Sequence, residues 1–353
     1  MAIRVLIVDD SATIRAMLQR VLSEDPNIVV VGVAVDGEEA IRKTLELSPD
    51  VITMDIFMPR LDGYEATRRI MYEKPTPIVV VSSAVDSPEL MVAFKAIQAG
   101  ALDVVQKPAV IGAAADASHR RLVSVVKSMS EVRVVRHRRQ VEVISAPRPM
   151  STLPPVVSHT QKTSLVVIAS STGGPAALQQ ILTELSPDFP APIVVVQHMS
   201  AGFTAGLVRW LQSSTGLKLT IARHGERMEA GTVYFADEGR HLEIGVMNRL
   251  FYRDTPPVHY VRPSATVLFA SAARQTPSEV IGVVLTGMGE DGVEGLRAMH
   301  DAGSLTIAQD QATCVVYGMP GAAVKAGAID HILPIESIGK KLNELTDRAS
   351  VAV

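Results

Sequence analysis

Short apolar runs alternate with amphipathic segments along the first 129 residues of the chain. The apolar runs lie at residues 5–8, 28–33, 51–54, 78–81 and 102–105. Between them, apolar side chains recur at helical spacing, for example over residues 12–22, 38–47 and 114–129. Strands that alternate with helical crossovers predict a five-stranded, parallel, doubly wound α/β domain over 1–129.

The same alternation resumes after residue 163. The later apolar runs lie at residues 165–169, 193–196, 219–222, 233–235, 281–285 and 305–308. Residues 232–252 are richer in turn formers, which is compatible with an antiparallel hairpin there. We therefore predict a second doubly wound, mostly parallel α/β domain over 163–347.

A change of composition separates the two predicted domains. A basic run (Arg133, Arg136, His137, Arg138, Arg139) precedes a stretch rich in proline, serine and threonine at 145–163. Such composition is typical of a flexible linker, which we place at 130–162. We interpret the basic run as part of this solvated linker, and a docking surface is the alternative.

Composition restricts the class of protein. With 353 residues and a net charge of −3, the chain has no basic field that favours nucleic acid. No signal-like leader precedes the first strand, and no apolar run approaches the ~20 residues of a membrane span. The single cysteine, Cys314, is expected to be a small buried residue rather than a nucleophile. We expect a cytoplasmic monomer that neither binds nucleic acid nor inserts into a membrane.

Polar residues follow the strands of the first domain, at the edge where open parallel sheets bind ligands. They are Asp9, Asp10, Asp55, Ser82 and Lys107. Clustered carboxylates are hard oxygen ligands that suit Mg²⁺, and a carboxylate beside a bound metal can attack phosphorus to form an acyl phosphate. The ammonium and the hydroxyl can bind phosphoryl oxygens. We expect a phosphoryl site here.

These motifs resemble the receiver domain of response regulators over about residues 1–125. The matching segments are Val8-Asp9-Asp10-Ser11, Met54-Asp55, Met58-Pro59, Asp62-Gly63 and Lys107-Pro108. The resemblance implies phosphorylation of Asp55, Mg²⁺ held by Asp9, Asp10, Asp55 and the carbonyl of Phe57, and supporting roles for Ser82 and Lys107. Val104 departs from the aromatic residue that this family often has three positions before the lysine.

A strand-to-helix turn, Ser170-Ser171-Thr172-Gly173-Gly174-Pro175, opens the second domain. Such a turn can be a plain helix cap, an anion-binding helix terminus or the mount of a nucleophilic serine. His198 and Asp291 follow two other predicted strands. If these strands are parallel neighbours, Ser171, His198 and Asp291 meet in one crevice as the nucleophile, base and orienting carboxylate of acyl transfer.

Glycines flank Met288, so we assign an oxyanion hole to the N–H of Met288, together with one near Thr172. Two other kinds of site are less compatible with the sequence. A zinc site is disfavoured because the sequence has neither a His-Glu-x-x-His motif nor paired cysteines. A dinucleotide site is disfavoured because the sequence lacks the full Gly-x-Gly-x-x-Gly motif. It also lacks an acidic residue after the next strand, which ends in Gln197-His198.

Residues 163–345 resemble the methylesterase domain that acts on bacterial chemoreceptors. The matching segments are 170–174, 197–199, 202–204, 262–264, 285–292 and 316–320. Ser170 replaces a commonly smaller alanine and Ser200 replaces a proline, and neither change removes a catalytic group. The resemblance implies hydrolysis of glutamate γ-methyl esters on chemotaxis receptors and deamidation of receptor glutamines. It also implies a chemotaxis histidine kinase as phosphodonor and control by the first domain. A receiver-controlled binding module without catalysis is the alternative.

Overall fold

The computed structural model describes residues 2–83, 88–108, 113–132, 134, 164–275 and 279–347. The first domain is a parallel sheet in the order β2-β1-β3-β4-β5. Its strands are β1 (Ile3–Val8), β2 (Ile28–Ala34), β3 (Val51–Met54), β4 (Ile78–Ser82) and β5 (Asp103–Gln106). Its helices are α1 (Ala12–Ser23), α2 (Gly37–Leu47), α3 (Gly63–Glu73), α4 (Pro88–Gln98) and α5 (Ala113–Ser130). The predicted five-stranded fold is confirmed.

The second domain is built on a sheet in the order β14-β13-β12-β6-β7-β9-β8. The strands after the first domain are β6 (Leu165–Ser170), β7 (Ile193–Gln197), β8 (Lys218–Ile221), β9 (Thr232–Phe235), β10 (His241–Gly245), β11 (Arg249–Arg253), β12 (Val280–Val284), β13 (Leu305–Gln309) and β14 (His331–Leu333). The helices are α6 (Gly174–Glu184), α7 (Thr204–Gln212), α8 (Ala265–Ala273), α9 (Val293–Asp301), α10 (Met319–Lys325) and α11 (Ile335–Asp347). The α/β class is confirmed here too.

All neighbouring strands of the second sheet are parallel. The antiparallel hairpin expected within 232–252 is formed by β10 and β11, whereas β9 belongs to the main sheet. The sequence pattern did not predict β14, which has only three residues. No described helix is long and apolar enough to cross a bilayer. The predicted linker lies outside the described residues, apart from 130–132 and 134.

In each sheet the strand order reverses beside the first strand, because the next strands are added first on one side of it and then on the other. In the first domain the chain goes from β1 to β2 on one side and returns to β3 on the other. In the second it goes from β6 to β7 on one side and returns to β12 on the other. Crevices at the carboxyl ends of strands beside such a reversal bind ligands in doubly wound folds. Both predicted sites lie at these positions.

The edge strand β5 of the first sheet faces the second domain. The N–H of Gln106 donates to the hydroxyl of Ser200, over 3.4 Å. Beside this contact, Phe94 of α4 stacks on Trp210 of α7 with ring centroids 5.5 Å apart, and both rings are buried. Burial of two aromatic rings at this contact stabilises the packing of the two domains.

Candidate active site and phosphoryl site

The turn after β6 presents Ser171 because two glycines follow it closely. Gly173 has φ of +77°, and a Cβ there would lie 2.7 Å from the side chain of Val315. A Cβ on Gly174 would lie 2.0 Å from Oε1 of Gln197. A side chain at either position would push the turn away from its neighbours. The N–H of Ser171 donates to the carbonyl of Thr286, over 3.0 Å, which ties the turn to the loop after β12.

Strand register brings His198 beside this turn. Ser170 pairs with Gln197, so Ser171 and His198 occupy the next position on two neighbouring strands. The N–H of His198 donates to the carbonyl of Ser170, over 2.9 Å. Both side chains are buried, with 2% of Ser171 and 8% of His198 exposed. Among the described residues, however, no hydrogen bond joins the Ser171 hydroxyl to His198.

Asp291 completes the group expected from the sequence. One of its oxygens, Oδ2, lies 2.9 Å from Nε2 of His198. The same oxygen accepts the N–H of Ala265 over 2.6 Å, and Oδ1 accepts the hydroxyl of Ser264 over 2.6 Å. The carboxylate therefore sits at the N-terminus of α8, where N–H groups and the helix dipole favour negative charge.

The surroundings of Asp291 keep it ionised. Burial raises its pKa, but the hydrogen bond and charge of His198, together with Ser264 and Ala265, outweigh burial and lower the pKa to about 2. Because Nε2 of His198 faces this carboxylate, Nδ1 is the ring nitrogen that remains to accept a proton.

A second histidine, His241, supports Asp291 indirectly, through Ser264. The N–H of Ser264 donates to Nδ1 of buried His241 over 3.1 Å, and Nε2 of His241 lies 3.0 Å from the carbonyl of Pro256. His241 thus carries its proton on Nε2 and fixes Ser264, which in turn donates to Asp291. Sequence reasoning did not assign these two residues a role. A serine directly before a helix was the available signal, because it predicts a cap.

The N–H groups of Thr172 and Met288 are the two that we expect to form an oxyanion hole. Among the described residues, neither the N–H of Thr172 nor that of Met288 donates a hydrogen bond, whereas the N–H of Gly287 donates to Val316. Thr172 directly follows the serine, as an oxyanion donor does in nucleophile turns of this type. Both groups are therefore free to bind an oxyanion.

Gln197 links the turn and the base. Its Nε2 donates to the carbonyls of Ser171 and His198, over 2.7 and 2.9 Å. Its Oε1 accepts the hydroxyl of Ser170 over 2.6 Å. The amide is buried, so these three bonds fix the ends of β6 and β7 relative to each other.

Replacing Gln197 by leucine is expected to lower kcat by about 100-fold, because a shift of about 1 Å between nucleophile and base has that cost. Steady-state methanol release from a methyl ester substrate measures the effect. Ser170→Ala is the matched control, since it removes one bond of Gln197 and leaves both donated bonds, and it should stay within about twofold of wild type. A wild-type kcat for Gln197→Leu would contradict a positioning role.

The phosphoryl site of the first domain contains the expected carboxylates. Oxygens of Asp9, Asp10 and Asp55 lie within 4.8 Å of one another. Nζ of Lys107 lies 2.7 Å from Asp9 and 3.0 Å from Asp55. Ser82 is the buried last residue of β4, and Phe57 lies two residues after Asp55 with 43% of its surface exposed. A set of hard oxygen atoms with this spacing fits Mg²⁺.

Burial and mutual repulsion raise the energy of negative charge at this site. Burial raises the pKa of Asp55, and so does the charge of Asp9, against the opposing effect of Lys107. Burial lowers the pKa of Lys107, but the hydrogen bonds and charges of Asp9 and Asp55 raise it by more. The pKa of Lys107 is therefore raised overall. The ammonium is therefore held as a cation between two carboxylates.

Cys314 is half-buried rather than fully buried, which corrects the expectation from the sequence. Burial, together with the charge of Asp310, raises the pKa of its thiol to about 12. The thiolate is the nucleophilic form of cysteine, so this residue is unreactive near neutral pH.

Comparison with known proteins extends these findings. A family model for the CheB methylesterase matches residues 166–342, and one for the response regulator receiver domain matches residues 5–116. A protein-glutamate methylesterase/protein-glutamine glutaminase 1 of Syntrophus aciditrophicus is 43% identical over 343 residues, or 97% of this chain and 98% of the relative. A protein of the same name, numbered 2, from Anaeromyxobacter dehalogenans is 46% identical over 347 residues, or 98% and 97%.

A solved structure supports the second domain. The crystal structure of the Thermotoga maritima CheB methylesterase catalytic domain is 41% identical, with a TM-score of 0.51, and it covers 52% of this chain and 100% of that one. With relatives matched over nearly their whole length, the chain belongs to the CheB methylesterase family and is a hydrolase that carries a response regulator receiver domain.

Proposed function

We propose that the chain hydrolyses γ-methyl esters of glutamate on methyl-accepting chemotaxis receptors. The observation that carries this proposal is the His198–Asp291 pair, 2.9 Å apart, beside Ser171 at the reversal point of the sheet. The names of the two relatives support the substrate. They also support deamidation of receptor glutamines, in which the same acyl group is transferred and ammonia leaves.

The reaction has two stages. Oγ of Ser171 attacks the ester carbonyl while Nδ1 of His198 takes its proton. His198 then protonates the departing methoxide, methanol leaves, and a glutamyl ester of Ser171 remains. In the second stage His198 takes a proton from water, which attacks this ester, and returns the proton to Ser171. Asp291 holds the ring and stabilises the imidazolium in both stages.

Charge develops on the carbonyl oxygen in each stage. The N–H groups of Thr172 and Met288 stabilise this oxyanion, and a single donor of this kind contributes about 3 kcal/mol to the transition state.

Measuring methanol release from purified methylated receptor tests the reaction. A serine-directed phosphonate separates it from the second candidate, a receiver-controlled binding module without catalysis. Labelling of Ser171, together with methanol release, supports the esterase. A protein that binds receptor, releases no methanol and is not labelled is a binding module instead.

Control by the receiver is the second part of the proposal. A chemotaxis histidine kinase is the proposed phosphodonor, and Asp55 accepts the phosphoryl group. Asp9, Asp10, Asp55 and the carbonyl of Phe57 would hold Mg²⁺, which neutralises charge on the phosphoryl oxygens. Lys107 binds a phosphoryl oxygen, and Ser82 donates a hydrogen bond to another.

The receiver contacts both residues of the proposed oxyanion hole. Oγ of Ser128 on α5 lies 2.7 Å from Sδ of Met288. The hydroxyl of Thr172 faces the carboxyl of Asp103, whose pKa is raised by burial against the opposing effects of Arg121, the N–H of Val104 and Thr172. A receiver in this position covers the catalytic groups, and its release would expose them.

Lys107 provides a route from phosphorylation to this contact. It follows Gln106, whose N–H donates to Ser200 in the second domain. The ammonium already bonds to both Asp9 and Asp55, and a phosphoryl group on Asp55 would draw it away from Asp9 and shift the end of β5. Additional charge at Asp55 is therefore expected to weaken the contact between Gln106 and Ser200.

Phosphorylating Asp55 with a small acyl phosphate and Mg²⁺ is expected to raise methanol release by roughly 5–150-fold, the usual range of such couplings. It should also shift the emission of Trp210, the only tryptophan in the chain, as its stack with Phe94 opens. Asp55→Asn treated in the same way should show neither change. A rate increase with unaltered emission would argue against opening at this contact.

A further inference from the structure

A tight turn beside the active site holds two residues in a conformation that few side chains adopt. Val258 and Val261 exchange two backbone hydrogen bonds, of 3.2 and 3.0 Å. The residues between them, His259 and Tyr260, have φ of +48° and +63°. Two-residue turns with both central residues in the left-handed region favour Asn-Gly, because other residues are strained there. The sequence His-Tyr therefore works against the stability of this turn.

No side-chain packing of Tyr260 offsets this backbone strain. Its side chain is fully exposed, at 101%, although the receiver lies against the same domain. The ring is therefore not part of the contact between the two domains. A strained backbone that presents a large side chain to solvent is typical of a residue with a role in function.

The exposed ring stands at the mouth of the active site. A cavity of about 210 Å³ is lined by His198, by Met199 and Ser200 after β7, by Tyr260 and Arg262, and by Arg121 of the receiver. Arg262 is fixed by Asp254, over 2.9 Å, and by the carbonyl of Thr255, over 3.0 Å. These two contacts hold Arg262, which lies two residues after Tyr260.

We propose that Tyr260 packs against the polypeptide that flanks the esterified glutamate and so selects protein substrates over small esters. The proposal rests on the proposed function. A glutamyl ester carbonyl is only a short side chain away from its backbone. When this carbonyl reaches Ser171, the flanking backbone lies close to His198, which lines the same cavity as Tyr260. A tyrosine provides a large, rigid contact with few rotatable bonds, which suits binding to a polypeptide surface.

The test compares two substrates in the phosphorylated full-length protein: methylated receptor and a blocked glutamate γ-methyl ester without flanking chain. For Tyr260→Ala we expect KM for the receptor to rise about tenfold, and the preference for receptor over the small ester to fall by the same factor. Tyr260→Phe keeps the ring and should restore most of the preference. Tyr72→Ala is the matched control, because Tyr72 lies on α3 of the receiver and is 73% exposed.

A double variant separates this role from a structural one. His259→Asn with Tyr260→Gly supplies the favoured turn residues, so it should raise Tm by about 2–4 °C and still lose the preference for receptor. An unchanged KM for the receptor in Tyr260→Ala, or an equal loss on both substrates, would overturn the proposal for Tyr260 alone. Absence of methanol release from either substrate by the wild-type protein would overturn the proposed function, and this proposal with it.

Discussion

Ser171→Ala is expected to lower methanol release from methylated receptor by about 10⁶-fold, the scale seen when a catalytic serine is removed from a triad. The reason is chemical, because without Oγ no acyl-enzyme forms. Release of labelled methanol under single-turnover conditions measures the effect. The serine-directed phosphonate should label the wild-type protein and leave the variant unlabelled.

This variant should fold as the wild type does. Among the described residues the Ser171 hydroxyl donates no hydrogen bond, so its removal breaks none, and Tm should change by less than about 2 °C. Receptor binding should also be retained. Methanol release at the wild-type rate would exclude Ser171 as the nucleophile and leave the His198–Asp291 pair in need of another role.

Asp291→Asn is expected to lower kcat by about 10⁴-fold. The carboxylate fixes the His198 proton on Nε2, which leaves Nδ1 free to accept the proton of Ser171. An amide NH₂ facing Nε2 would favour the opposite tautomer, with the proton on Nδ1, and the base would be lost. Steady-state kinetics on methylated receptor measure the loss. Asp330→Asn is the matched control, because Asp330 accepts the N–H and the hydroxyl of Thr306, each over 2.8 Å, just before β14.

The same substitution has a pH signature. The pKa of Asp291 is lowered from 3.8 to about 2, so ionisation of this group contributes stability that is complete above about pH 4. Linkage gives a contribution of about 2 kcal/mol, which is lost as the pH falls from about 4 through 2. The difference in unfolding free energy between wild type and Asp291→Asn should therefore shrink over that interval. A difference that stays constant with pH would contradict a stabilised carboxylate.

Much of the fold follows from local pattern. Strands such as β3 are buried along their whole length and appear in the sequence as short apolar runs, while the helices between them have one apolar face. The sequence then also predicts which polar side chains after the strands lie close together, because parallel strands place their carboxyl ends at the same edge of the sheet. The strand pattern alone therefore places Asp9 near Asp55 and His198 near Asp291, and both pairs are close in the structure.

Long-range contacts could not be read in this way. The hydroxyl of Ser264 and the carboxylate of Asp291 are 27 residues apart, and only the packing of α8 brings them together. The stack of Phe94 on Trp210 joins two domains whose patterns are each complete without it. The turn at His259 and Tyr260 has neither of the residues that mark such turns, so turn chemistry gave no signal.

The proposed release of the receiver has a consequence at the edge strand β5, which contacts the second domain. In the closed arrangement the N–H of Gln106 is covered by Ser200, and the rings beside it are buried. A receiver that swings away leaves an uncovered strand edge next to freshly exposed aromatic surface. Uncovered edges are templates for pairing with other chains. In the proposed mechanism, the open form that reaches the substrate also has this exposed surface, so we expect it to self-associate more readily than the closed form.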